Sequence, residues 1–405
     1  EEYEELGELA KAHSYIETRV KVNPNSIDLW RSYSLFMLRN YGDVNKAEEC
    51  LKEAITLCED NDFELFLVYG ALLVQMKEKK ALIFLSRVTE DEEAQDQYIR
   101  AHVLISILYK FLGNDELSTK HFAYASRMKL RQNELIIPKG TLRESNPKAE
   151  VSTAFTPIPQ LSAEEVDALY FDVIESLLIP EGMTKLASEA LEFISDADSK
   201  QIIKIKAKIQ FGERKYAEVL ETIEEYLDEQ KFDIEGIKIL ADVHYLLKQD
   251  EDSEKAYLRA IRRGANDPVI SKTLGLLYIR SGKWKEARVV FSDYCNNIDS
   301  KCAYAWRFLG MSAWKLRDID GAEKCFKISN LLDPSNPDTW GLLTVISLIV
   351  GIGQNRAFQS YQKALRLGLN NFEIFAELGY LFTKAKDMEK DAIYCYERAL
   401  SIDSK

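Results

Sequence analysis

The chain repeats itself. Leu274-Gly275 recurs as Leu309-Gly310 and again as Leu378-Gly379. Downstream of each pair come Ala287 and Phe291, Ala322 and Phe326, then Ala392 and Tyr396. Leu274 to Leu309 is 35 residues and Trp306 to Trp340 is 34. A fixed period of this length restricts the fold severely. Each unit is too short to bury its own apolar flank, so neighbouring units must stack to cover one another. Within a unit, apolar residues recur at helical spacing, and the small residues Gly275 and Ala287 sit where two antiparallel helices would meet. The pattern predicts helical hairpins in a row rather than a single closed core.

Three units are clear. One runs from Asp267 through Gly282 to Phe291, the next holds Trp306, Gly310, Phe326 and Pro334, and a third has Leu240, Ala241, Ser253, Tyr257 and Ala260. Two more carry one extra residue between their helices: Trp340 to Ala364 and Phe375 to Ala399. A looser unit lies around Ile202 to Leu227. The N-terminal part contributes Trp30 with Tyr33, Ala47 and Ala54, a degraded unit with Tyr69, Gly70 and Leu85, and a third with Tyr109, Gly113 and Phe122. Ala12, Ile16 and Pro24 look like the second half of a truncated unit. Together with the missing initiator Met, this suggests a fragment of a longer protein. The W…LG…Y…A…F…A…P order at about 34 residues resembles the tetratricopeptide repeat family. The expected fold is therefore all-α, a tetratricopeptide-repeat superhelix (α-solenoid).

The pattern fails between Gln132 and Gln160, a stretch with four of the nine prolines. Proline removes a backbone donor and restrains the preceding residue, so a linker is expected there. Ser162 with Glu165 reads as a capping box before two helices near Ala163–Leu178 and Met183–Ile194. The expected organisation is an N-terminal lobe over 1–131, a linker over 132–160 and a C-terminal lobe over 161–405.

Few sequence features point to chemistry. The net charge of −13 disfavours a phosphate-backbone binder, so no nucleic acid is expected. The six cysteines form no CxxC pair, which fits a reducing compartment without disulfides or zinc. The apolar run from Trp340 to Gly353 is too short to span a bilayer, so no membrane association is expected. Gly351 and Gly353 begin like a dinucleotide fingerprint, but Arg356 stands at the third glycine position. No P-loop, HExxH or GxSxG sequence occurs. His13, His102, His121 and His244 lack spaced partners, and the carboxylates of 221–229 alternate with apolar residues as on a solvated helix face. The expectation is a chain with no catalytic, cofactor or metal residues and no small-molecule substrate.

The resemblance to tetratricopeptide repeats implies that the first helix of each unit lines a concave face, through its second, fifth, ninth and twelfth positions. Those positions hold Lys272, Leu276 and Ile279, then Tyr304, Arg307, Met311 and Trp314, then Val345 and Leu348, then Tyr380. Aromatics, Met and Arg are enriched at interface hot spots. The predicted partner groove is centred on Tyr304, Arg307, Met311 and Trp314, with self-burial of the face as the competing reading. Some members of the repeat class clamp chaperone carboxylates with Lys and Asn. The matching positions here hold Arg31, Leu35 and Val68, or Lys272, Leu276 and Phe308, which disfavours that activity.

A closer likeness comes from LWRSYSLFMLRNYGDVNKAEECLKEAITL, LVYGALLVQMKEKKALIFL, LISILYKFLGNDELSTKHFAYASR and CAYAWRFLGMSAWKLRDIDGAEKCFKISNLLDPSNPDTWGLL. Together with the linker between them, these segments resemble the C-terminal repeat region of the cilia- and flagella-associated protein 70 family. The resemblance implies a non-enzymatic protein–protein interaction scaffold in the axoneme of motile cilia or flagella. Its partners would be other proteins, central-apparatus components among them, and its role ciliary beating and cell motility. The alternative is a cytoplasmic tetratricopeptide adaptor or assembly chaperone that binds a peptide segment of a client.

Overall fold

The computed structural model describes residues 4, 9–58, 62–90, 95–136, 163–194, 200–265, 267–351, 354–385 and 388–403. Among them are α-helices and two π-helical turns, and no strand. The all-α repeat solenoid expected from the period is the fold observed. The chain divides into two compact units, 1–231 and 232–405. The boundary expected from the sequence lay instead at the 132–160 stretch, of which residues 137–160 fall outside the described residues, as does Ser162.

The first unit contains α1 (Leu9–Val22), α2 (Ile27–Tyr41), α3 (Val44–Leu57), α4 (Phe63–Gln75), α5 (Ala81–Val88), α6 (Gln95–Phe111) and α7 (Asp115–Ile136). It continues with α8 (Ala163–Val173), which ends in a π turn (Ile174–Leu178), then α9 (Thr184–Leu191), α10 (Lys200–Gly212) and α11 (Tyr216–Glu229). The second unit is five consecutive hairpins. They are α12 (Ile234–Leu246) with α13 (Asp250–Arg262), and α14 (Pro268–Arg280) with α15 (Trp284–Asp293) and its π turn (Tyr294–Ile298). Then follow α16 (Ala303–Lys315) with α17 (Ile319–Leu332), α18 (Pro337–Val350) with α19 (Gln354–Arg366), and α20 (Phe372–Lys384) with α21 (Glu389–Asp403).

Local chemistry sets where each helix begins. Ser26, Asp62, Asp233, Asp267, Asn336 and Asn371 precede first helices and accept a backbone N–H of the first turn. Pro268 and Pro337 occupy the first helical position, where no N–H is needed. Three tryptophans in the same register repeat one contact. The indole N–H of Trp30 donates to the Pro24 carbonyl at 2.8 Å, that of Trp306 to Ser300 at 2.8 Å and that of Trp340 to Pro334 at 2.9 Å. Each bond pins a first helix to the turn before it.

The hairpin turns keep the period even where the side-chain motif has decayed. Left-handed residues occur at Gly42, Lys77, Gly113, Arg214, Lys248, Gly282, Arg317 and Gly351. From Arg214 onward these lie 34 or 35 residues apart. The looser unit around Ile202 to Leu227 is thereby in phase with the rest.

Within each hairpin, glycine lets the backbones approach. A Cβ on Gly275 would lie 2.7 Å from the Phe291 ring, and one on Gly310 would lie 2.6 Å from Phe326. The aromatic downstream in the repeat therefore fills the space left by the missing side chain.

Candidate functional site

The predicted face lies on the first helices of the second unit, and the structure treats its residues unequally. Leu276 and Val345 are buried. Tyr304 and Arg307, the expected centre, are only 8% and 3% exposed. The Lys272 ammonium, on α14, sits 4.8 Å from the Tyr304 ring centroid on α16. The Arg307 guanidinium lies 5.6 Å from the same ring and 5.2 Å from Phe308. Cations stack favourably on such ring faces. Burial lowers the pKa of Arg307, against the opposing pull of Asp338 and Asp333. Lys272, Tyr304 and Arg307 thus form a stacked group that ties adjacent units together.

The rest of the predicted set remains partly accessible. Ile279, Met311, Trp314 and Leu348 are half-buried, and Tyr380 is 50% exposed. Met311, Trp314 and Leu348 pack along the edge of the core shared by the last three hairpins. Lys315 lies 4.7 Å from the Trp314 ring and 5.5 Å from Trp284, and reaches Glu373 at 3.7 Å. Tyr380 is tied to Lys384, one turn on, whose ammonium stands 4.0 Å over its ring.

Two residues in the same register, one unit earlier, were not singled out from the sequence. Lys238 stands at the position of Lys272 and Arg307, and it pairs with the Asp267 carboxylate. Asp242 stands at the position of Leu276 and Met311, and it accepts the Tyr257 hydroxyl. Burial pushes the Asp242 carboxyl up to about 6 and the Tyr257 hydroxyl well above its ordinary value. Extending the fifth- and ninth-position reading back to the Leu240-Ala241 unit would have found both.

In the first unit the equivalent face is covered by the chain itself. The hairpin of α8 and α9 lies across α2, α4 and α6. Arg31 on α2 bonds Glu181 at 2.9 Å, and Arg39 donates to the Pro180 carbonyl. The Leu186 N–H donates to Gln75 at 3.4 Å, and Lys77 meets Glu189 at 3.2 Å. Arg100 on α6 meets Asp172 at 3.1 Å. Lys110 donates to the Tyr170 hydroxyl at 2.9 Å and stands 4.1 Å from the Phe193 ring. Beneath these contacts Tyr170, Val173, Ile174, Leu178, Met183 and Leu186 join the core of the unit. At roughly 1.5–3 kcal/mol for each large apolar side chain buried, this hairpin is a permanent part of the fold.

The remaining candidates resolve simply. Among the described residues no three or more His, Cys, Asp or Glu side chains are grouped to hold a metal ion. No described helix is long and apolar enough to cross a membrane. All six cysteines are free. Glu221, Glu224, Glu225, Asp228 and Glu229 face solvent. Gly351 is a left-handed helix cap, as a hairpin turn requires, and Gly353 lies outside the described residues. His13 meets the Tyr33 hydroxyl at 3.1 Å and His244 the Gln249 side chain at 2.6 Å, while the other two histidines meet each other. The α6–α7 hairpin brings His102 and His121 together, Nδ1 to Nδ1 at 2.9 Å.

Stacked hairpins with in-phase turns, capped first helices and glycine–aromatic approaches define a tetratricopeptide-repeat solenoid. Two family models cover most of it. The cilia and flagella-associated protein 70 middle TPR-like domain matches residues 1–129, and the C-terminal domain of the same protein matches residues 189–405. The chain belongs to the cilia- and flagella-associated protein 70 family. Among curated relatives, the cilia- and flagella-associated protein 70 of Macaca fascicularis is 25% identical over 370 residues, covering 91% of this chain and 34% of the relative. That of Homo sapiens is 28% identical over 105 residues, covering 26% of this chain and 9% of the relative. The chain therefore spans about a third of the length of the macaque relative.

Two solved structures are similar to part of the chain. MamA from Desulfovibrio magneticus RS-1 is 14% identical with a TM-score of 0.40, covering 43% of this chain and 97% of that one. YrrB, described as a TPR protein with an unusual peptide-binding site, is 14% identical with a TM-score of 0.40, covering 52% of this chain and 97% of that one.

Proposed function

We propose that this chain is the docking part of a non-enzymatic protein-interaction scaffold in the axoneme of motile cilia or flagella. On this reading it engages components of the central apparatus and serves ciliary beating. The family membership supports the ciliary setting. The docking role is supported by one observation above the others. Ile279, Met311, Trp314, Leu348 and Tyr380 recur along four consecutive first helices of the second unit and remain accessible there. In the first unit the corresponding face is already filled by α8 and α9. A stripe of aromatic, thioether and aliphatic groups suits an amphipathic helix or extended segment from a partner.

The structure changes which residues test this. Arg307 is enclosed and stacked on Tyr304 and Phe308, so its removal would disturb the fold as well as any interface. Trp314→Ala and Tyr380→Ala probe the accessible stripe instead. In crosslinking capture from axonemes, the paired variant is expected to recover at least about tenfold less of the partner, with helical content retained by circular dichroism. Undiminished capture removes the groove from the reading. A full-length protein found in the cytosol and absent from cilia would favour the adaptor or assembly-chaperone role.

A further inference from the structure

A cavity in the first unit is not used by the repeat packing. It has a volume of about 450 Å3 and is lined by His13, Met37, Tyr41 and Asp43. The residues come from α1, the C-terminal end of α2 and the start of α3. Each wall is held in place. The His13 ring stacks on Phe36 with centroids 5.9 Å apart at 13°, and its Nε2 lies 3.1 Å from the Tyr33 hydroxyl. The Tyr41 ring lies 5.5 Å from His13 and 5.8 Å from Phe36, yet is 49% exposed. Met37 is 7% exposed, so its thioether is set into the core. The Asp43 carboxylate caps α3 by accepting the Lys46 N–H at 3.0 Å.

The Tyr41 ring face favours cations, and Asp43 adds a formal negative charge. The negative pole of α2, at Tyr41, meets the positive pole of α3, which Asp43 caps, so the formal charge of Asp43 decides the sign. Nearby lysines are engaged elsewhere, Lys46 with Glu49 at 2.9 Å and Lys21 with Glu17 at 2.7 Å. An anion would be repelled by Asp43, and an uncharged apolar group would gain nothing from its carboxylate, of which Oδ1 is already engaged by the Lys46 N–H. A soft alkyl stem ending in a cation satisfies both the rings and the acid.

We propose that this cavity binds an alkylammonium group, the side chain of a lysine, free or methylated, on a basic partner segment. The site is independent of the second-unit stripe, so either can fail without the other.

The test uses the 405-residue chain with 13C-methyl methionine, so that the Met37 methyl reports on the cavity directly. The probes are Nα-acetyl-lysine methylamide, its Nε-trimethyl form and the uncharged norleucine analogue. Both cations are expected to give a saturable shift of the Met37 resonance, and norleucine none. Tighter binding of the trimethyl form would assign the source as methylated lysine, and equal or weaker binding as the unmodified side chain. Tyr41→Ala removes a half-exposed ring and should weaken cation binding about tenfold. Asp43→Asn keeps a capping side chain while removing the charge, and should weaken binding severalfold. The proposal is overturned if neither cation gives a saturable shift, if norleucine binds as well, or if both variants bind like the parent chain.

Discussion

Placing a methyl group at Gly310 tests the packing logic of the whole solenoid. In Gly310→Ala the new Cβ would stand 2.6 Å and 2.7 Å from ring carbons of Phe326, and 3.1 Å from the Cys325 Cβ. Carbon atoms normally rest about 3.5–4.0 Å apart, so the overlap with the ring is about 1 Å. Phe326 is fully buried and has nowhere to swing. Cys325 belongs to the same helix, so relief requires α17 to move away from α16. Such overpacking costs about 1–3 kcal/mol. Alanine also gains about 1 kcal/mol over glycine in a helix interior. The net expectation is a loss of about 0–2 kcal/mol. A repeat array need not unfold in one step, so the assay should be local. Amide hydrogen exchange across α16 and α17, with urea unfolding followed by circular dichroism, would locate the change. Phe326→Leu should relieve the overlap, making the double variant at least about 1 kcal/mol more stable than additivity allows. A stabilising Gly310→Ala, or strict additivity with Phe326→Leu, would refute the close-approach account.

Acid should act differently on the two units. Burial, with His121 alongside, lowers His102 to about 4 from its ordinary 6.5. Its neutral form therefore supports the fold above about 6.5, and up to about 3 kcal/mol is lost as pH falls from there to about 4. Exchange protection of α6 and α7 measured down that range should fall, and His102→Phe should flatten the slope. Asp242 is pushed up to about 6, so its contribution is present at low pH and lost as pH rises through about 6. Protection of α12 and α13 should decline over that interval in the parent chain and not in Asp242→Asn. Arg317 adopts φ 64° at a hairpin turn. Arg317→Gly should therefore raise stability by a few tenths to about 1 kcal/mol, and an unchanged urea midpoint would show that no strain is stored there.

Much of the fold was legible because its signals are local and repeated. The Leu-Gly pairs and downstream aromatics marked three of the hairpins, and the Gly310–Phe326 approach is the physical content of that spacing. Other features had no sequence mark. Lys77, Arg214, Lys248 and Arg317 adopt the left-handed turn without being glycine. Their φ is imposed by the closing of the hairpin, not by residue type. His102 and His121 are 19 residues apart and meet only because α6 and α7 fold back on each other. Asp242 and Lys238 were readable by register, had that register been carried one unit further toward the N-terminus.

The candidate face divides in the same way. Its membership followed from the resemblance to tetratricopeptide repeats, which implies that the second, fifth, ninth and twelfth positions of a first helix share the concave side. Its accessibility did not, because burial depends on how neighbouring hairpins close around a side chain. Tyr304 and Arg307 look like ideal hot-spot residues in one dimension, yet in three they are stacked into the solenoid. The filling of the first-unit face by α8 and α9 rests on contacts between residues 60 to 150 positions apart, from Lys110 with Tyr170 to Arg31 with Glu181. That the chain is a row of helical hairpins can be read in one dimension, since each unit carries the instruction within about 35 residues. Which side chains of its first helices stay accessible cannot, because that outcome depends on packing between units.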